Sequence, residues 1–329
     1  MACLCRDKGV AFVTENHFSM GKSFNEMLRA SFKSKDTEEW IDIYFTRPIG
    51  LVFAIFWNKL GIHPNVITIL SIFLGIGAGV MFVHTDLQHN VIGVLLLMFA
   101  NFCDSTDGQM ARLTGKKTLV GRVLDGFSGD IWFFAIYSAI CLRLYNQYIP
   151  GTDMKWHIWI WLLALVAGVM CHSPQSSLAD YYRQIHLLFI KGKEGSELDN
   201  YREQRAMYEQ QPKTRILARL FYYNYANYCK SQEKRTPNFQ KMMAAVKERY
   251  GDVDGMPAEL KEMFVSGSRP LMKHANILTF NVRAITLYAT CLLGCPWVYL
   301  LVEIIVLNIL YIHMHKRHEA LCANITEKL

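Results

Sequence analysis

The chain has 329 residues, 52% of them hydrophobic, 13% aromatic and 19% charged, and a formal net charge of +7. This balance is too apolar for an ordinary soluble protein and too polar for a chain lying wholly in a membrane, so several spans plus a sizeable soluble part are expected. The excess of cations suits nucleic acid or an anionic membrane surface equally well, and its placement along the chain has to decide between them.

In chain order, the N-terminal MACLCRDKGVAFVTENHF lacks an apolar run followed by a small-residue cleavage site, so no cleaved signal is expected. Residues 48–60 (PIGLVFAIFWNKL) predict an amphipathic helix lying at the membrane interface. Six apolar stretches follow, at 66–83, 91–101, 131–144, 156–171, 275–293 and 297–312. A helix needs about 20 residues to cross about 30 Å of hydrocarbon. The second and third stretches reach that length only by continuing through the polar residues 102–112 and 122–130. Helices that carry carboxylates at membrane depth usually face a shared, wet interior. Residues 192–272 are mixed in character, with helical runs such as TRILARLFYYNYANYCK and NFQKMMAAVKERYG, punctuated by Pro212, Pro237, Pro257, Gly251 and Gly255. The fold expected is an all-α integral membrane protein with six transmembrane helices, an N-terminal amphipathic helix and a cytosolic helical insertion. The divisions fall at 1–62, 63–191, 192–272 and 273–329.

The charge then sorts itself. Residues 84–90 carry no Lys or Arg and residues 146–155 carry one, whereas the alternate connections hold Arg112, Lys116, Lys117 and Arg122, then Arg183, Lys191 and Lys193, then Lys316 and Arg317. Six spans with both termini in the cytosol put every basic cluster inside, as the positive-inside rule requires. Orientation accounts for the cations, so a nucleic-acid partner is not expected and the lipid bilayer is. The nine cysteines show no zinc-ligand spacing: Cys3 and Cys5 are too close together, and Cys291 and Cys295 lie in an apolar stretch. Scattered, reduced, mostly buried thiols are expected.

Residues 104–130 read DSTDGQMARLTGKKTLVGRVLDGFSGD. Asp104 and Asp107 stand at i and i+3, so both carboxylates project to one side of a helix. Asp125 enters at the start of the next span. Three or more acids converging from two helices repel one another unless a divalent cation neutralises them, and magnesium (or manganese), which takes carboxylate and phosphate oxygens, is the natural occupant. Gly108 keeps the helix surface open beside the carboxylates, and Arg112, one turn on, offers a planar fork for phosphate.

Asp104-x-x-Asp107-Gly108-x-x-Ala111-Arg112, eight residues, then Gly121-x-x-x-Asp125 resembles the signature of the CDP-alcohol phosphotransferase (CDP-alcohol phosphatidyltransferase) family. His63-Pro64-Asn65, just before the first span, is similar to the Pro-Asn pair many members carry there. The resemblance implies a six-helix membrane fold, a cytosol-facing site, two divalent metal ions, and metal and CDP-diphosphate binding by Asp104, Asp107 and Asp125. It further implies a CDP-linked lipid donor, an alcohol acceptor, release of CMP and, in many members, a homodimer. The motif places Gly108, Ala111, Arg112, Gly121 and Asn65 around the nucleotide. One position departs from the pattern. The family's last aspartate, the presumed base for the acceptor hydroxyl, follows Asp125 by four residues, whereas here that position is Gly129 and the acid is Asp130. Four residues of helix turn about 40° and five about 140°, so Asp130 points away from Asp125 on a regular helix. Three accounts stand: a distortion at Gly126 and Gly129 that rotates Asp130 back, a different base such as His172, or a catalytically silent member serving as a membrane scaffold.

On the acceptor side, the end of the fourth stretch, from His172 and Gln175 to Arg183, is too polar to face lipid, and the fifth begins with Lys273 and Arg283. An intramembrane arginine pairs with an acid or faces a cavity. Glu303 is the available acid for Arg283; otherwise Lys273 and Arg283 help to hold an anionic acceptor such as inositol phosphate or another polyol phosphate. The competing reading, a transporter with an acidic site, calls for repeats and mid-membrane helix breaks, and no repeat is seen. A bacterial cell membrane is favoured slightly over an internal eukaryotic one.

Overall fold

The computed structural model describes residues 23–31, 34, 36–115 and 119–329, so Cys3, Cys5, Lys116 and Lys117 lie outside it, as does the side chain of Arg122. The described residues form α-helices joined by short turns, with no strand. In order they are α1 (Phe24–Ser31), α2 (Arg47–Lys59), α3 (Pro64–Phe82), α4 (Leu87–Thr114), α5 (Leu119–Leu144), α6 (His157–Leu165) and α7 (Ser173–Lys191). Then come α8 (Tyr201–Gln210), α9 (Ile216–Arg235), α10 (Pro237–Tyr250), α11 (Ala258–Ile277), α12 (Phe280–Leu292), α13 (Trp297–Leu301) and α14 (Leu307–Thr326). π-helical turns join α6 to α7 (Val166–His172) and α13 to α14 (Val302–Val306), so each pair runs on as one long helix.

Five helices among the described residues are long and apolar enough to cross a membrane: Pro64–Phe82, Leu87–Thr114, Leu124–Leu144, His157–Lys191 and Trp297–Thr326. Their outer faces expose Phe73, Val80, Leu95, Phe99, Phe134 and Leu142, the apolar surface that a bilayer solvates. The chain is an all-α integral membrane protein. As expected, the second and third spans run on through their polar residues, α4 past Asp104, Asp107 and Arg112 and α5 from before Asp125. The stretch 275–293, expected as one span, is instead divided. α11 ends at Ile277, Thr279 is extended, and α12 has 13 residues. Thirteen residues rise about 20 Å, short of the roughly 30 Å hydrocarbon core. The division is fixed by polar groups, for Thr279 Oγ1 donates to the Asn276 carbonyl at 2.6 Å and the Leu278 carbonyl accepts from the Arg283 guanidinium at 3.0 Å.

Small residues set the approach of α3, α4 and α5. A Cβ at Gly75 would overlap the Trp132 indole, one at Gly79 would press on the backbone of Ala135, and one at Gly93 would meet Phe82. Around these contacts Ala78, Leu97, Ala100, Ile136 and Ile140 are fully or almost fully buried. α2 lies where the amphipathic segment was expected and buries Gly50, Leu51 and Ala54 while leaving Val52 and Phe56 outward. It is clipped to α4 by Thr106 Oγ1 to the Gly50 carbonyl at 3.3 Å and by Gln109 Nε2 to the Arg47 carbonyl at 3.1 Å.

A second core lies away from this one. α7, α10, α11 and α14 enclose Tyr182, Ile185, Phe239, Met242, Phe264, Met272, Met314 and Cys322. α8 and α9 form a hairpin whose base docks on α7 through Gln232 Nε2 to the Ser177 carbonyl at 3.1 Å. The insertion's last helix, α11, continues past the boundary drawn at residue 272 and carries Pro270 in its interior.

Candidate functional site

Asp104 and Asp107 leave α4 on one side, and Asp125 meets them from α5. One ligand oxygen from each lies within 4.8 Å of the other two. Neither Asp104 nor Asp107 forms an ion pair with a described residue. Their partners are hydroxyls: Ser128 Oγ donates to Asp104 Oδ1 at 3.2 Å and to the Asp125 carbonyl at 2.7 Å, and Thr68 Oγ1 of α3 donates to Asp107 Oδ2. Three helices therefore hold the acids in one place, with hydroxyls as the direct partners of Asp104 and Asp107. The donor set is all oxygen and close-spaced, and it fits magnesium or manganese.

Arg112 stands one turn beyond Gly108, its guanidinium lying against the glycine where a side chain would begin. Its Nε and Nη2 are buried and have no hydrogen-bond partner among the described residues. Buried donors are normally satisfied, so a guanidinium with unused N–H groups beside a carboxylate cluster marks a place for an anion. Its charged neighbours are Arg47, Glu38, Glu197 and Asp125. Arg47 is committed to Glu38 in a two-pronged pair, with Nε at 3.2 Å and Nη2 at 3.0 Å. Ala111 and Gly121 flank the cluster on α4 and α5, both partly buried. Asn65 sits in the first turn of α3, whose N-cap is His63, and precedes Thr68 by three residues, so it belongs to the same face and end of that helix.

Asp130 stands apart from the three acids. α5 is an unbroken α-helix through Gly126 and Gly129, and Asp130 is exposed outside the carboxylate group. No local distortion rotates it back. Its electrostatic neighbour is Tyr228 of α9, which also lies near Asp180 of α7.

The polar residues of the later helices build a second, buried constellation. Arg283 is 1% exposed and Glu303 is 0% exposed, and they form an ion pair. Arg283 Nη2 also donates to Gln175 Oε1 at 2.8 Å, and its Nε donates to the Leu278 carbonyl at 3.2 Å. Tyr299 donates to Glu303 Oε1 at 2.8 Å, and His172 Nδ1 lies 3.5 Å from that same oxygen and 3.1 Å from the Tyr137 hydroxyl. Gln175 Nε2 extends the chain of bonds to Asn308 Oδ1 at 2.8 Å. Each π-helical turn contributes one member, His172 at the end of the first and Glu303 within the second. Lys273 lies elsewhere, exposed on α11, so it and Arg283 do not share an environment.

Residues the sequence reading did not single out are Thr68, Ser128 and the Glu38–Arg47 pair near the aspartates, and Tyr137, Tyr299 and Asn308 in the buried network. Thr68 carried one usable signal, a hydroxyl three residues after Asn65 within an apolar run.

A CDP-alcohol phosphatidyltransferase domain is found at residues 61–180 by its family model. An uncharacterized protein of Aquifex aeolicus (strain VF5) is 37% identical over 85 residues, which is 25% of this chain and 42% of that protein. The match thus spans less than half the length of that relative. The family is one of membrane transferases of phospholipid synthesis. α8 to α14, with Arg283 and Glu303, lie outside the matched segment.

Proposed function

We propose that the chain is a phospholipid-synthesising transferase that moves a phosphatidyl or similar phospho-substituent from a CDP-linked lipid donor to an alcohol, releasing CMP. The observation that carries this reading is the convergence of Asp104, Asp107 and Asp125 beside an arginine with unused donors. A diphosphate is the ligand such a pair of features suits, since it bridges metal and guanidinium with its own oxygens. The motif and the family match over residues 61–180 support the same reading.

Asp104, Asp107 and Asp125 would hold Mg2+ or Mn2+. A divalent ion bound there supplies charge neutralisation for the diphosphate and stabilises the CMP leaving group. Thr68 and Ser128 orient Asp107 and Asp104 by donating to one oxygen of each and leaving the others for ligation. Arg112 binds a phosphate oxygen through Nε and Nη2. Gly108, Ala111 and Gly121 leave room for the nucleotide, and Asn65 closes the α3 side. The new phosphorus–oxygen bond to the acceptor forms as the bond to CMP breaks, with the two oxygens in line. A base for the acceptor hydroxyl therefore belongs on the far side of phosphorus from the leaving group. Asp130, about 8 Å along the α5 axis from Asp125 and about 140° around it, does not face the phosphorus that the three aspartates would hold, so that base is another group. Lys273 is the exposed cation for an anionic acceptor such as a polyol phosphate. His172 and Arg283 are committed to the buried network around Glu303 and are given no contact with substrate. The site faces the cytosol of a multi-pass protein, in a bacterial cell membrane and as a homodimer, in this reading.

The test is CMP release by the purified protein with a CDP-lipid and a panel of alcohols, with magnesium present or chelated. Metal-dependent release with one acceptor supports the reading and names the substrate. Asp130→Asn should leave kcat within about tenfold of the parent, since a positioned base contributes about a hundredfold or more and Asp130 faces away from the cluster. One observation favours a second reading, a silent scaffold: Asp130 stands off the carboxylate group. Binding of CDP-lipid with no CMP release for any acceptor would establish it.

A further inference from the structure

His318, Glu319 and Cys322 occupy one stretch of α14, His-Glu-Ala-Leu-Cys, in the second core and far along the chain from the aspartates. All three are buried, and one ligand atom from each lies within 4.8 Å of the other two. His318 and Cys322 stand at i and i+4, on the same face of the helix. His318 Nδ1 is 3.6 Å from Cys322 Sγ. Tetrahedral zinc, with a Zn–N bond near 2.0 Å and a Zn–S bond near 2.3 Å, sets its nitrogen and sulfur ligands about 3.5 Å apart.

One unsatisfied group points the same way. Glu319 Oε2 accepts the backbone N–H of Asn238 at 2.8 Å, capping α10, but its Oε1 is buried without a hydrogen bond. His318 is 0% exposed and stacks on the Tyr182 ring at 4.0 Å, which holds the Nδ1 that faces Cys322 in place. A buried polar atom with no partner needs an explanation, and an ion is one of the few available in an apolar core. The spacing is invisible to a search for paired Cys and His motifs, because it holds one thiol, one imidazole and one carboxylate on a single helix turn.

We propose that His318, Glu319 and Cys322 bind a zinc ion through three protein donors, with water in the fourth position, which pins α14 to the N-terminus of α10 and so fixes the helical insertion to the membrane bundle. A nitrogen, a sulfur and an oxygen donor form a set zinc accepts readily, while magnesium avoids sulfur. On binding, the Cys322 thiol gives its proton to water and the thiolate sulfur donates to the ion, one proton being released per ion bound. Glu319 keeps its Oε2 on α10 and uses Oε1 for the metal, so the ion and the helix cap share one side chain.

The experiment uses the full chain in detergent or nanodiscs, first measuring its zinc content by mass spectrometry and then titrating the metal-free protein with cobalt(II). The expected result is about one tightly held zinc per chain. Cobalt should give the absorption band of a thiolate-to-cobalt charge transfer, which carboxylate-bound cobalt at the aspartates cannot give. Cys322→Ser should abolish that band and His318→Gln should weaken cobalt binding at least tenfold, while Cys229→Ser, on α9, should keep both. A protein that carries no zinc and shows no thiolate band with cobalt overturns the proposal and leaves His318 and Cys322 as hydrogen-bond partners only. A band that survives in Cys322→Ser also overturns it. The titration of the unsubstituted chain decides the matter even if a variant fails to fold.

Discussion

Two polar regions sit among the apolar helices, and they are built on opposite rules. Around Arg283 every strong group is answered from within the chain: Glu303, Gln175 and the Leu278 carbonyl surround the guanidinium, and Tyr299 completes Glu303. Around Asp104 and Asp107 the direct hydrogen-bond partners are hydroxyls, a third carboxylate stands beside them, and donors of the nearby Arg112 are left unused. A set of groups satisfied internally does not call for a ligand, and one left unsatisfied does. The first region is therefore read as part of the fold and the second as the working site.

Substitutions should separate the two regions by which property they damage. The largest stability effect is expected at Glu303→Gln or Arg283→Met, each leaving a buried partner uncompensated at a cost of about 3–5 kcal/mol. The double replacement Arg283→Met with Glu303→Leu should cost clearly less than the sum, and thermal or denaturant unfolding in detergent measures both. Full stability in Glu303→Gln would erase the contrast. Next, Arg112→Ala should raise the KM for the CDP-donor by about tenfold to a hundredfold, the value of hydrogen bonds to a charged group, with little change in melting temperature. An equal loss of stability would make Arg112 a structural residue. The smallest effect concerns Glu39, ahead of α2. Burial first, and then the neighbouring Asp42, hold its carboxyl above the usual range. Asn281 Nδ2 donates to it at 2.8 Å. A raised carboxyl favours the folded state when protonated, so its contribution falls as pH rises from the ordinary carboxylate range to its folded value. Glu39→Gln should therefore raise the melting temperature more at neutral than at mildly acidic pH.

Sequence and structure agree best where the physics is local. The i, i+3 spacing of Asp104 and Asp107, and the need of the second and third spans for extra length, place the three acids together without reference to coordinates. Helical period alone also indicates that Asp130 turns away, and the unbroken α5 bears this out. The parts that stayed hidden depend on contacts distant in the chain. The π-helical turns that bring His172 and Glu303 inward leave no mark in an apolar run. The break at Thr279 rests on two hydrogen bonds from side chains, and a hydroxyl in an apolar stretch is compatible with an unbroken span. Pro270 would suggest a helix boundary, yet α11 passes through it because α7 and α14 pack along its sides. His318 and Cys322 become a pair only once burial removes water as their partner.

The most direct measurement is the melting temperature of the unsubstituted protein and of Asp107→Asn, each with magnesium and with chelator. If the carboxylates are held together for a ligand, Asp107→Asn should be as stable as or more stable than the parent in chelator, since one of three repelling charges is gone. Magnesium should then stabilise the parent, by about 2.7 kcal/mol at a hundred times its Kd, and leave Asp107→Asn unmoved. A parent indifferent to magnesium, or an Asp107→Asn variant destabilised in chelator as strongly as Glu303→Gln, would show that the aspartates serve the fold and would contradict the account.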